Sequence, residues 1–152
     1  MHRVGVIGLG IMGRRMITNL VQHGGFSDPC AWDPEPRACA DAAVETPGLT
    51  IMDGADAVIA AADLVYIATP PLWHRNYAER AMAAGKPVYS EKPLGINVAE
   101  SRALVTALEE SGTPNVVNFI QAASRAVTLT EERIVDGSPG DITGADIIVH
   151  FA

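Results

Sequence analysis

Aromatic side chains make up only 5% of this chain, cysteine occurs twice, and lysine plus arginine (11) fall short of aspartate plus glutamate (18). Each shortage excludes something. Cys30 and Cys39 are too few for a disulfide framework and lack neighbouring ligands at zinc spacing, so two thiols in a reducing cytoplasm are expected. A formal net charge of −7 denies the chain the clustered cations that a nucleic-acid groove or an anionic membrane surface requires. No apolar run approaches a membrane span. The opening "MHRVGVIGLG" enters a strand pattern at once, so no signal peptide is expected. His2, His23 and His150 show no ligand spacing, so no metal is expected.

What is present is apolar and small. Hydrophobic residues make up 48% of 152, alanine and valine prominent among them. A chain of this length buries roughly 70% of its unfolded surface as one domain. Short apolar runs alternate with helical stretches along it. Strands are expected at Arg3–Ile7, Pro29–Trp32, Leu49–Met52, Leu64–Ala68, Pro87–Ser90 and Asn115–Phe119. Helices are expected at Gly13–Gln22, Pro36–Val44, Asp53–Ala61 with Asp53 as N-cap, Trp73–Ala84 closed by Gly85, Asn97–Glu110 closed by Gly112, and Thr130–Asp136. Strands joined through helices over short connections make right-handed crossovers, hence an α/β fold with a doubly wound parallel sheet. Continuous apolar strands such as "VGVIG" and "LVYIA" suit a sheet buried on both faces.

"VIGLGIMG" carries Gly8, Gly10 and Gly13 as Gly-x-Gly-x-x-Gly, after an expected strand and at the opening of an expected helix, which is the context that gives the spacing meaning. Gly8 turns the chain, Gly10 lets a pyrophosphate approach the backbone, and Gly13 lets helix and strand pack closely. The amides of Ile11 and Met12 then face the phosphates with the positive end of the helix dipole. About 20 residues further on, at the end of the second strand, such a site needs an acid for the adenosine ribose hydroxyls, and Asp33 in "AWDPEP" stands there. A 2′-phosphate beside Asp33 would meet like charge, on the order of 4 kcal/mol per pair at 4 Å. Glu35 adds to that, and Arg37 is the nearest cation. NAD is favoured and NADP remains possible.

"VYSEKPLG" ends a buried-looking strand in a carboxylate, an ammonium and a proline. Ligands of open parallel sheets bind beyond the carboxyl ends of the strands, where Gly8 to Gly13, Asp33, Thr69 and Glu91 to Pro93 all fall. An ammonium at Lys92 in that place would hydrogen-bond a substrate hydroxyl and stabilise developing alkoxide as hydride leaves. His74 either touches the cofactor or caps a helix start, and Trp73 either walls the pocket or packs.

Two families are echoed. "GLGIMGRRMITNL" resembles the start of the β-hydroxyacid dehydrogenases, but "NFIQAASRA" stands where that group carries a Ser-Gly-Gly stretch. "ATPPLWH" followed by "AMAAGKPVYSEKPLG" is similar to the glucose–fructose oxidoreductase and inositol 2-dehydrogenase (Gfo/Idh/MocA) family over most of the chain. That resemblance implies a Rossmann NAD(P)-binding domain over residues 1–120, with Thr69-Pro70 and His74 after the fourth strand and Glu91-Lys92-Pro93 after the fifth. It implies an NAD(P)-dependent oxidoreductase acting on a CH–OH group of a sugar or polyol. Lys92 would lie between nicotinamide ribose and substrate, Glu91 on the ribose side, with the Lys92–Pro93 bond often cis. Gln121 would offer a polar contact to the nicotinamide, in place of the family's Asn-x-Arg stretch.

The resemblance also implies that residues 121–152 open an α+β substrate domain, with Ala145–Phe151 as the first strand of its antiparallel sheet. The chain would then stop early in that domain, before an Asp-x-x-x-His element that supplies the base. Full-length members would be homo-oligomers through that sheet, with a small sugar or polyol as partner and neither nucleic acid nor membrane. Two other readings stay open. One is a β-hydroxyacid-type dehydrogenase. The other is a non-catalytic nucleotide sensor, which would keep the glycine loop and Asp33 but have no use for Lys92.

Overall fold

In the computed structural model, which describes residues 1–120, 124–144 and 146, the first helix shows how the sequence builds the fold. Gly13, Ile17 and Leu20 of α1 (Ile11–His23) are its buried residues, spaced to share one stripe, and Gly24 closes the helix at φ 67°. The chain runs β1 (His2–Ile7), α1, β2 (Phe26–Trp32), α2 (Pro36–Glu45), β3 (Thr50–Ile51), α3 (Ala55–Ala61) and β4 (Leu64–Ile67). A 3₁₀ turn (Pro71–Trp73), α4 (His74–Ala83), β5 (Val88–Ser90), α5 (Val98–Ser111), β6 (Asn115–Val117) and α6 (Arg125–Asp136) follow.

The six strands form one sheet in the order β3-β2-β1-β4-β5-β6, every pair parallel. Strand order reverses between β1 and β4, so the loops after these two strands diverge and leave a crevice at the carboxyl edge. Period-2 alternation sorts the side chains to two faces. Ile7, Cys30, Val65 and Ile67 pack with Val58 and Ile59 of α3, Ala78 of α4 and Leu104 and Leu108 of α5. Val4, Val6, Ala31 and Tyr66 pack with Ile17 and Leu20 of α1 and Ala42 of α2. This is the doubly wound α/β fold expected from the sequence.

Three expectations at element ends need correction or qualification. Asp53 does not cap α3. Gly54 takes the N-cap position, with no side-chain hydrogen bond, so Asp53 lies one residue too far out to reach the N2 or N3 amide. The last helix starts earlier than Thr130, at Arg125, because Ser124 caps it and accepts from the Val127 amide at 3.3 Å. The expected strand Ala145–Phe151 lies, Asp146 apart, outside the described residues. The chain divides after Asn118, with β1 to β6 in the first unit and α6 in the second. No helix among the described residues is long and apolar enough to cross a membrane.

Candidate nucleotide and active site

The sheet register builds the site. Ile7 pairs with Trp32 and with Ile67, Ile67 with Ser90, and Ser90 with Val117. The residues that follow them, Gly8, Asp33, Ala68, Glu91 and Asn118, therefore leave the sheet along one edge. From β2 to β5 is three strand spacings, roughly 14 Å.

The glycines differ in what holds them. Gly8 has φ 101°, and a Cβ there would lie 2.7 Å from the Ala68 carbonyl carbon and the Thr69 nitrogen. At Gly13 a Cβ would fall 1.8 Å from the Gly8 carbonyl oxygen, so α1 can lie this close to β1 only with hydrogen at that position. Gly10 is the opposite case: a Cβ would meet nothing within 4 Å. Its φ of −68° and ψ of −166° suit any residue. The structure of the protein itself therefore makes no demand for glycine at position 10. A ligand drawn close to the backbone would. Gly10 caps α1 without a side chain, and the first turn holds no acid, so the amides of exposed Ile11, half-buried Met12 and Gly13 keep no helical partner. Free amides at a helix start can receive an anion such as a phosphate group.

Asp33 sits against this loop. Its Oδ2 accepts from the Leu9 amide at 2.7 Å and its Oδ1 from the Glu35 amide at 2.8 Å. Two of roughly four carboxylate lone-pair positions are thus used in fixing the loop, leaving the others for ribose hydroxyls. Across the crevice, Thr69 is 8% exposed and its Oγ1 is buried with no hydrogen-bond partner among the described residues. An unpartnered buried hydroxyl costs about 1–3 kcal/mol, which a ligand hydroxyl or phosphate oxygen would relieve. Gly8, Gly10, Asp33, Thr69, Pro70 and half-exposed Trp73 line a cavity of about 590 Å³. The orphaned hydroxyl and the open space over Gly10 fit a dinucleotide. A second hollow, also about 590 Å³, lies toward the amino ends of the strands, against Met16, Leu20 and Phe26, and is remote from these groups.

His74 is a support rather than a wall of this cavity. It is 0% exposed, with Nε2 2.6 Å from the Thr69 carbonyl and Nδ1 2.9 Å from the Pro93 carbonyl. A neutral imidazole donates to one of these oxygens, a protonated one to both. Either way, the ring ties the loop after β4 to the turn after β5. Of the two roles expected for His74, the helix cap falls to Trp73, and both ring nitrogens face protein carbonyls in place of the open cleft.

Lys92 follows β5, and the Lys92–Pro93 peptide is cis. Its side chain is exposed and forms no ion pair among the described residues. Glu91 is 5% exposed and turns inward. Its Oε1 accepts from the Tyr66 hydroxyl and, at 2.5 Å, from Asn118 Nδ2, whose Oδ1 in turn accepts from the Tyr89 hydroxyl at 2.9 Å. Alternation explains the cluster. Tyr66 pairs with Tyr89 and Tyr89 with Val116. Glu91 and Asn118, each two residues further along, share their face. Charge-assisted hydrogen bonds of this kind contribute about 1.5–3 kcal/mol each. Burial first, and then the Glu91 carboxylate, hold the Tyr66 hydroxyl far above its ordinary range. Burial and the same carboxylate raise Tyr89 as well.

Sequence reasoning missed Tyr66, Tyr89 and Asn118. Their only signal is parity: a polar tip at each position of a strand end that shares a face with Glu91. Gln121 lies outside the described residues.

The model of an oxidoreductase family with an NAD-binding Rossmann fold, Gfo/Idh/MocA, matches residues 2–119. The chain belongs to this family. Among its relatives, an inositol 2-dehydrogenase of Cereibacter sphaeroides is 31% identical over 87% of this chain and 40% of its own length. A dTDP-3,4-didehydro-2,6-dideoxy-α-D-glucose 3-reductase of Streptomyces violaceoruber is 30% identical over 92% of this chain and 42% of its own. The chain thus spans less than half the length of these Gfo/Idh/MocA relatives. Among solved structures, the WlbA dehydrogenase of Bordetella pertussis in complex with NADH and UDP-GlcNAcA superposes with a TM-score of 0.81 at 27% identity, over 91% of this chain and 43% of that one. Family membership over residues 2–119 overrides the local likeness of the first helix to the β-hydroxyacid dehydrogenases.

Proposed function

We propose that this chain is the nucleotide-binding part of a dehydrogenase that moves hydride between a nicotinamide and a CH–OH group of a sugar or polyol, with NAD favoured over NADP. One observation carries the reading: the register of four strands brings the glycine turn, Asp33, Thr69 and the Glu91-Lys92-Pro93 turn to one edge. The activities named for the relatives, on inositol and on a deoxysugar nucleotide, support the substrate class.

The residues divide the work. The Gly8–Gly13 turn and the first amides of α1 bind the diphosphate, and Asp33 holds the adenosine ribose and opposes a 2′-phosphate. Thr69 and Pro70 flank the middle of the cleft, and Gln121 is proposed at its nicotinamide end. A bound nicotinamide supplies the hydride acceptor. Lys92 donates a hydrogen bond to the substrate hydroxyl and stabilises negative charge as it develops on that oxygen. Residues from 121 onward are proposed to open the substrate domain, consistent with the division after Asn118. The free thiols Cys30 and Cys39 suit a cytoplasmic protein, and burial raises the Cys30 thiol.

Nucleotide fluorescence tests the cofactor half. NADH should bind at least ~10-fold tighter than NADPH, a difference of about 1.4 kcal/mol; equal affinities would refute the role of Asp33. The catalytic half is tested in the full-length protein, where Lys92→Ala should lower turnover by about 10²-fold or more with NADH affinity nearly kept. A nucleotide sensor would lose nothing on that change.

A further inference from the structure

Lys92 is exposed, yet both of its neighbours are anchored. The carbonyl of Pro93 lies on His74, and the side chain of Glu91 is drawn beneath the sheet edge by two donors. A carboxylate this buried is stable only while donors meet it. Tyr66 reaches it from β4 and Asn118 from the residue that follows β6, so the peptide that carries Lys92 is fixed laterally on both sides of β5. Asn118 is itself oriented by Tyr89, and the two tyrosine rings pack edge-on with centroids 5.1 Å apart. With Oε1 of Glu91 committed to these partners, the residue is turned away from the open side of the crevice.

We propose that Tyr66 and Asn118 are positioning residues for Lys92: by holding Glu91 inward they set where the ammonium stands over the nucleotide cleft, and Glu91 serves as the anchor of the turn. This rests on the reading that Lys92 faces a bound nicotinamide. It differs from the family expectation for Glu91, in which the carboxylate serves the ribose.

The chain offers a direct probe, because Lys86 and Lys92 are its only lysines. Lys86 is occupied elsewhere, donating from Nζ to the Ala62 carbonyl at 2.7 Å. Reductive ¹³C-methylation of the 152-residue protein therefore gives separate NMR signals for Lys92, for Lys86 as a fold control, and for the N-terminus. Saturating NADH should shift the Lys92 signal. In Tyr66→Phe and in Asn118→Leu, compared at saturation, that shift should fall by about half or more, while Lys86 stays in place, because a hydrogen bond lost to a charged group frees the anchor.

Each change is also made with Glu91→Gln, which removes the buried charge and protects folding when a donor is lost. A Lys92 shift of full size in folded variants overturns the inference and leaves the proposed function intact. A Lys92 signal that does not respond to NADH in the unsubstituted protein overturns the proposed function itself. If every variant unfolds even with Glu91→Gln, the network serves folding alone and the inference is likewise overturned.

Discussion

Gly10 and Gly13 belong to one motif but answer to different forces. Gly13→Ala would place a methyl 1.8 Å from a backbone oxygen, a clash that no side-chain rotation relieves. It should cost about 3 kcal/mol or more, seen as a lower urea midpoint. Gly10→Ala should cost only the roughly 0.5–1 kcal/mol by which glycine outranks alanine at an N-cap, and weaken NADH binding by about 10-fold or more, since its methyl enters the space left for phosphate. Equal behaviour of the two variants would contradict the assignment. Tyr66 makes a prediction in pH. Its hydroxyl is held above the ordinary value of 10.0, so in more alkaline solution the unfolded chain has released a proton that the native chain keeps. The stabilisation is complete below about pH 10 and is lost as the pH rises from there, by up to about 1.4 kcal/mol per pH unit. Denaturation on either side of that pH should show a shallower alkaline loss in Tyr66→Phe. Tyr89 contributes in the same direction.

At the scale of elements, the described helices fall into two groups: Glu35, Asn97 and Ser124 cap α2, α5 and α6 with a side chain, whereas α1, α3 and α4 have no side-chain cap. Asn97 accepts from the Glu100 amide at 2.8 Å and Glu35 from the Arg37 amide at 3.3 Å, whereas α1 begins with no side-chain cap. Asn97→Ala should therefore cost about 1 kcal/mol of stability with no change in NADH affinity, because α5 starts beyond the Lys92 turn and holds none of the cleft residues. A change in affinity larger than the loss of stability explains would place α5 in the site. The strands act together in a different way. β5 is three residues long, too short to order a functional turn alone, and it is fixed by ladders to β4 and β6 on both sides. Glu91 then adds side-chain bonds to the same two neighbours.

At the scale of the whole molecule, the proposed function divides into binding a nucleotide and moving hydride, and the two are expected to part in these 152 residues. Lys92 stands exposed, and hydride transfer is favoured in a site closed to water. The chain should bind NADH yet show little steady-state oxidation of inositol or a related polyol, followed by the absorbance of the reduced nicotinamide. Turnover comparable to that of the longer relatives would show that the substrate site is complete within these residues.

Features that depend on local chemistry can be read along the chain. Alternating apolar runs and helical stripes gave the doubly wound sheet, because periodicity follows from backbone geometry. Gly8, Gly10, Gly13 and Asp33 stand out as candidates because the Gly-x-Gly-x-x-Gly spacing and an acid about 20 residues on are linear features, and Glu91-Lys92-Pro93 because its place after an apolar strand is another. Helix ends were less legible: Asp53 and Gly54 are both acceptable before α3, and one residue of offset decides which of them caps. Only the tertiary structure decided that Glu91 faces inward and that His74 bridges two loops. Tyr66, Tyr89 and Asn118 are scattered along the chain, and nothing local relates them. Strand order brings β4 and β6 to either side of β5, and burial then forces the carboxylate to take the hydrogen bonds that those two strands provide.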